Sequence, residues 1–327
     1  MPSNTPGKIA LEEHFAIEET LMDSAGFVPE DHWPELKSRI LDIQDRRLRL
    51  MDQHGIERMI LSLNAPAVQA ILDPAKANDV ARRANDVLAS EIAKRPDRFS
   101  GFAALPMQDP DLAIRELQRC VSELGFKGPL VNGFSQGRDG TALLYYDLPQ
   151  YWPFWQAVER LDVPFYLHPR NPLPADSRIY EGHAWLLGPT WAFAQETAVH
   201  ALRLIGSGLF DAHPNLTVIL GHMGEGLPFY LWRISHGFRA GGLLSSLGDK
   251  TFRDIFCEHF WITTSGFFSD PALLCCVMEM GIDRILFSVD YPFAENPPGT
   301  EWTKTLPLCA EDRKKLLSGN AKRLLKL

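Results

Sequence analysis

The segment KIALEEHFA, residues 8–16, runs apolar and then stops at two carboxylates and an imidazole. In an extended strand, side chains two apart share a face, so Glu12 and His14 project together and Glu13 points the other way. A carboxylate beside an imidazole is half of a divalent-metal site, and equally the start of a polar surface turn. Further ligand types close other apolar runs: His168 in FYLHPRNP, His222 in VILGHMGEG and Asp290 in ILFSVDYPF. Oxygen and nitrogen donors with no thiolate beside them suit a borderline or hard ion. Zinc and manganese fit equally well, and a structural cysteine-rich zinc site is disfavoured. A two-metal barrel site often recruits a carboxylated lysine at the fourth strand, but GPLVNG carries Asn132 near its end and no lysine, which favours one ion.

These groups need a scaffold that brings distant strand ends to one place. Eight short apolar runs recur with helical patterns between them: residues 8–14, 58–63, 99–105, 128–133, 163–169, 216–222, 260–266 and 284–290. Such repeated βα units predict a parallel sheet, and eight is the count that closes a (β/α)8 barrel. Its C-terminal strand ends would gather all five ligand types around one mouth. PAKANDVARRANDVLASEIAKR and DPDLAIRELQRCVSELG read as intervening helices, the second stopping at Gly125. Two connections, 15–36 and 170–195, are long and rich in proline, glycine and aromatic residues, as loops decorating an active site are. No repeat, low-complexity tract or linker marks a second domain, so residues 1–327 are expected to form one decorated barrel. A doubly wound nucleotide-binding fold is disfavoured: ALEEHF has no glycine where a dinucleotide turn would need it, and no phosphate-binding GxxxxGK[ST] occurs.

The bulk numbers narrow the partners. With 327 residues, 45% of them hydrophobic, the chain has ample material for a packed core. A net charge of −8 without long single-sign runs offers no footprint for nucleic acid or an anionic membrane, leaving a small molecule as the default partner. Five cysteines, at positions 120, 257, 275, 276 and 309, show neither CxxC spacing nor an even framework, and read as reduced and mostly buried thiols. MPSNTPGK lacks the apolar stretch of a signal peptide, and no window has the roughly 18 uncharged apolar residues of a membrane span. A cytoplasmic location is expected.

GKIALEEHFA, SAGFVP, ILSLNAPAVQAI, PLVNGFSQ, LDVPFYLHPRNPLP, WLLGPTWAFAQETAVHALRL, GLFDAHP, LGHMGEGLP and DRILFSVDYPF carry a further signal. Through them the chain resembles, over almost its whole length, the amidohydrolase-related decarboxylases that act on hydroxybenzoates. The resemblance implies an amidohydrolase-type barrel in which Glu12, His14, His168 and Asp290 bind one Zn2+ or Mn2+. His222 and Glu225 would form a polar pair beside the metal that assists proton handling. Asn132 and Arg233 correspond to positions near the substrate, and Phe27 and Phe293 to its aromatic wall. A helix-surface cation is the other reading of Arg233, and loop packing of the two phenylalanines. A homo-oligomer, a tetramer, is also implied. The chain departs from the family in YPFAENPPG, where Tyr291 replaces a tryptophan at a pocket wall and Ala294 is inserted, and in segments 238–256 and 266–281.

The implied reaction is the reversible, non-oxidative decarboxylation of 2,6-dihydroxybenzoate to resorcinol and CO2, with 2,3-dihydroxybenzoate and salicylate as alternative substrates. Direct loss of CO2 would leave an unstable aryl anion, so the ring must be protonated first. An ortho hydroxyl ionised on a divalent metal makes the carboxylated carbon basic enough, without any organic cofactor. Asp290 is the expected donor and His222 its competitor. A metal-dependent hydrolase is the alternative of another class, and a non-enzymatic metal-binding protein a third.

Overall fold

The computed structural model describes residues 7–240 and 250–327. The N-terminal residues read as lacking a leader, and the central part of the divergent segment 238–256, lie outside the described residues.

All eight apolar runs form strands: β1 (Lys8–Phe15), β2 (Ile56–Leu63), β3 (Phe99–Gly101), β4 (Leu130–Asn132), β5 (Phe165–His168), β6 (Val218–Leu220), β7 (Phe260–Thr263) and β8 (Ile285–Leu286). They pair in parallel in the order β1-β2-β3 and β4-β5-β6-β7-β8. A parallel bridge between Ala103 and Pro129 joins β3 to β4. The ring closes between β8 and β1, where His14 N–H donates to the Tyr291 carbonyl at 2.6 Å and Glu12 N–H to Ser288 Oγ at 2.7 Å. The result is a (β/α)8 barrel.

Several strands are shorter than the apolar runs that announce them. β8 covers two residues of the expected seven, because Ser288, Val289 and Asp290 leave the ladder to turn into the mouth.

Ile9, Leu11, Ile60, Phe102, Leu130, Tyr166, Ile219, Trp261 and Leu286 fill the barrel interior, with Ala321 and Leu325 of the C-terminal helix packed against them. A larger apolar layer lies between the strands and the surrounding helices. The helices start where the sequence provides caps. The Asp73 side chain accepts from Lys76 N–H ahead of Pro74–Lys94, and Asp109 from Asp111 and Leu112 N–H ahead of Pro110–Ser122. The latter helix ends before Gly125, which takes φ +71° in the turn that follows.

The connection 15–36 folds into short 3-10 turns before a helix at Trp33–Leu41, and 170–195 into four such turns before Ala192–Gly206. The cysteines are free, but only Cys120 and Cys276 are fully buried, and Cys309 is exposed. Among the described residues, no helix is long and apolar enough to cross a membrane.

Candidate metal centre and active site

β1 carries the irregularity on which the site depends. Ala10 lies opposite Met59 and Glu13 opposite Leu61, so β1 has one more residue than β2 over this stretch, a β-bulge. Without it, strict alternation would put Glu12 and His14 on the face opposite Ile9 and Leu11. With it, Leu11 packs in the barrel interior while Glu12 and His14 enter the mouth directly above. Glu13 alone points away. The expected pairing of Glu12 with His14 is observed, and a bulge that the apolar pattern does not reveal directs both inward.

At the mouth, one ligand atom from each of Glu12, His14, His168 and Asp290 lies within 4.8 Å of the others. His168 Nε2 stands 3.3 Å from Glu12 Oε1, and His14 Nε2 stands 3.3 Å from Asp290 Oδ1. His222 Nε2 is 3.4 Å from Glu12 Oε1 and 3.8 Å from Asp290 Oδ2, while its Nδ1 contacts Glu225 Oε1 at 2.8 Å.

The supporting bonds leave one side of the ligands free. Glu12 Oε2 accepts from the Tyr166 hydroxyl, from Ser265 Oγ at 2.6 Å and from Thr263 Oγ1 at 3.4 Å, whereas Oε1 is buried without a hydrogen-bond donor. His14 Nδ1 is engaged by Ser62 Oγ at 3.1 Å, and its Nε2 is likewise buried and unsatisfied. Two orphaned donor atoms converging on one point, each backed by a bond to its other end, are what a cation-binding set requires. The residues therefore fit a single divalent ion. Gly221 keeps the space open, since a Cβ there would fall 2.6 Å from Glu12 Oε2.

Among the protein groups themselves, burial opposes ionisation of Glu12, but the His222, His168 and His14 imidazoles overcome it and hold the carboxyl well below the usual carboxylate range. Burial also disfavours charged His222, yet Glu12, Glu225 and Asp290 outweigh it and raise this imidazole well above its ordinary value. For His168 burial wins and the pKa falls. The mouth thus favours an ionised Glu12, a neutral His168 and a protonated His222.

The backbone around these groups is unusual. His222, Met223, Glu225 and Asp290 have φ of +47°, +56°, +55° and +77°. Left-handed conformations are costly for residues with a Cβ and persist where surrounding contacts impose them.

The two expected aromatic residues lie beside the cluster. Phe293 lies edge-on to His14 with centroids 5.6 Å apart, and Phe27 packs against Phe293 at 5.9 Å. Phe193, which the sequence did not single out, continues the wall 5.6 Å from Phe27. Asn64 anchors the loop that carries Phe27, donating to the Thr20 carbonyl and Ser24 Oγ. Asn132 sits beside His168 in the β4–β5 register, with Nδ2 bonded to the Asn64 carbonyl at 3.0 Å and Oδ1 buried without a donor.

Two expectations meet a different placement. Arg233 is exposed on the helix Leu227–Ala240 and is not brought to the cluster within this chain. Tyr291 is no pocket wall: its ring is buried in the outer apolar layer, 4.8 Å beneath the Arg47 guanidinium. Asp290, in left-handed backbone, faces the mouth, and the residue that follows it faces outward. Tyr166, Ser62, Thr263 and Ser265 had no sequence signal beyond being polar residues within or just after apolar strands.

The sequence model of the Amidohydrolase family matches residues 25–327. Curated γ-resorcylate decarboxylases of Polaromonas sp. (strain JS666) and Rhizobium radiobacter are 64% and 66% identical, over 98% of this chain and 99% and 98% of theirs. The solved structure of a 2,6-dihydroxybenzoate decarboxylase complexed with 2,6-dihydroxybenzoate superposes with a TM-score of 0.96 at 65% identity, covering 98% of this chain and 100% of the other. A dihydroxybenzoic acid decarboxylase from Polaromonas sp. JS666, solved with bound manganese and the inhibitor 2-nitroresorcinol, gives a TM-score of 0.95 at 64% identity over 98% of this chain and 97% of its own. The chain belongs to the amidohydrolase family, on the branch that holds the γ-resorcylate decarboxylases.

Proposed function

We propose that this protein is a metal-dependent carboxy-lyase that converts 2,6-dihydroxybenzoate reversibly to resorcinol and CO2. The observation that carries the reading is the four-residue cluster at the barrel mouth, whose two orphaned donor atoms converge in a chain so similar to enzymes named for this reaction.

Glu12, His14, His168 and Asp290 would hold one divalent ion, with manganese supported by the ion bound in the Polaromonas relative and zinc compatible with the same donors. The ion, when bound, supplies Lewis acidity that favours the ionised ortho hydroxyl and fixes the substrate by its oxygens. Phe27 and Phe293 would flank the ring, and Asn132 Oδ1 would accept from a substrate hydroxyl. Asp290 would deliver a proton to the ring carbon bearing the carboxylate. The bond from that carbon to the carboxylate then breaks, its electron pair restores the aromatic ring, and CO2 departs. Asp290 is left ionised and must regain a proton. His222, with Nε2 3.8 Å from Asp290 Oδ2 and Glu225 steadying its far side, is placed to return it.

The helix Leu227–Ala240 turns Phe229, Tyr230 and Trp232 outward, with Phe229 75% and Trp232 70% exposed. Such an aromatic face supports a homo-oligomer, a tetramer in our reading, and light scattering at micromolar concentration tests it. A monomer would contradict it.

The reaction is tested by supplying Mn2+-loaded protein with 2,6-dihydroxybenzoate, 2,3-dihydroxybenzoate and salicylate in turn and measuring CO2. Release fastest from the first is expected. Release only from another would reassign the substrate, and none from any would overturn the reaction.

A further inference from the structure

Glu13 is the one acidic residue of the EEH segment left without a part in the cluster, yet it is fully buried. Its carboxylate grips the chain on both sides of Asp290. Oε1 accepts from Val289 N–H at 2.9 Å and from Ser288 Oγ at 2.9 Å, and Oε2 accepts from Tyr291 N–H at 3.1 Å. A carboxylate bonded to the N–H groups of the residues before and after another fixes the backbone between them more tightly than one bond could, and Asp290 is a residue whose backbone needs fixing, at φ +77°.

The grip is itself anchored. Arg47, also fully buried, donates from Nη2 to the His14 carbonyl at 2.6 Å and from Nε to the Asp42 carbonyl at 3.1 Å, and its guanidinium lies over the Tyr291 ring. Its charge lies on the same side of β1 as Glu13 and, with the bonds from Val289, Ser288 and Tyr291, partly offsets the burial of that carboxylate, which still leaves the Glu13 carboxyl raised to about 7.

Resting on the assignment of Asp290 as proton donor, we infer that Glu13 is a positioning residue of the reaction: it touches no substrate, and it aims the Asp290 carboxylate by clamping the peptides of Val289 and Tyr291. The bulge that turns Glu12 and His14 inward is what turns Glu13 toward the end of β8. Adjacent residues of one strand therefore hold the ion and aim the acid.

The test is a double-mutant cycle of Glu13→Gln and Asp290→Asn, each Mn2+-loaded, with metal content measured beside kcat and KM for 2,6-dihydroxybenzoate. The amide of Glu13→Gln keeps one acceptor and turns an NH2 group toward a backbone N–H. We expect kcat to fall about 10- to 100-fold, the range seen when a bond that orients a functional group is lost, with KM and metal content within about threefold of native. In the Asp290→Asn background the same change should alter the residual rate less than about threefold, since there is no acid left to aim. Glu13→Asp, which keeps the charge but cannot span both peptides, should show the same dependence on Asp290 and serves if Glu13→Gln does not fold.

Equal losses in both backgrounds, or a native kcat in Glu13→Gln with full metal, would overturn the inference. Failure of the underlying assignment is separately visible, as near-native turnover by metal-loaded Asp290→Asn alone.

Discussion

The lower part of the barrel and its mouth are built by the same strands only a few residues apart, and they differ in almost every physical respect. Below, Ile9, Ile60, Leu130, Ile219 and Leu286 pack with Leu325 into an apolar interior. Above, ligand atoms of buried Glu12, His14 and His168 and of partly exposed Asp290 crowd within 4.8 Å, with two donor atoms unsatisfied and four residues in left-handed backbone. Stability is therefore gathered at one end and functional strain at the other. The strands can hold costly groups at the mouth because the layers beneath are well packed.

That division predicts that substitutions at the two ends fail differently. The largest effect on turnover belongs to Asp290→Asn: with full metal it should lose about 10²- to 10⁴-fold in kcat, the range for a lost general acid, while its thermal midpoint stays near native. If His222→Asn were inactive and Asp290→Asn were not, the proton donor would be His222.

At the packed end, Ile219→Ala should cost about 2–5 kcal/mol in denaturant unfolding, because its side chain is fully buried and the cavity has no solvent to fill it. The folded fraction should keep its native kcat. An Ile219→Ala protein of native stability would break the comparison.

A smaller change is expected of Ser62→Ala, which removes the partner of His14 Nδ1 and leaves every ligand in place. Metal affinity or activity should drop about 10- to 100-fold. Titration with Mn2+ would show it, and unaltered affinity and turnover would show that Ser62 does not orient His14.

The smallest effect lies outside the mouth. His200 is fully buried, accepts from Tyr146 N–H at 3.1 Å, and is pushed down to about 3 by burial and by Arg203. Its folded value lies below the unfolded one of about 6.5, so the unfolded chain takes up a proton that the native chain refuses. Its contribution is present above pH 6.5 and shrinks as pH falls toward 3, losing about 1.4 kcal/mol by pH 5.5. Unfolding of native and His200→Gln proteins across that range should converge at low pH. Parallel curves would remove the assignment.

How much of this could be read from the chain depends on what kind of signal each residue carries. The eight strands were legible because runs of Val, Ile, Leu and Phe between amphipathic helices have few other interpretations. The ligands were legible because an acid or imidazole ending an apolar run is conspicuous. The bulge in β1 was not, since an extra residue in a strand leaves no mark in composition, and it alone decides that Glu12 and His14 face in. Tyr166, Ser62, Thr263 and Ser265 were hidden because hydroxyl residues are common in strands and declare themselves only by the partner they meet. The outward turn of Tyr291 and the exposure of Arg233 are properties of three-dimensional placement that motif matching does not carry. Glu13 was noticed only as the residue facing the wrong way.

The central claim is that the mouth cluster holds a divalent ion on which decarboxylation depends. It is tested most directly by His168→Ala, measured beside the native protein for metal by elemental analysis and for CO2 release from 2,6-dihydroxybenzoate. The native chain should carry about one ion per subunit and turn over, whereas His168→Ala, with one of four donors gone, should lose both the ion and the activity. A folded His168→Ala protein with stoichiometric metal and native turnover would contradict the account.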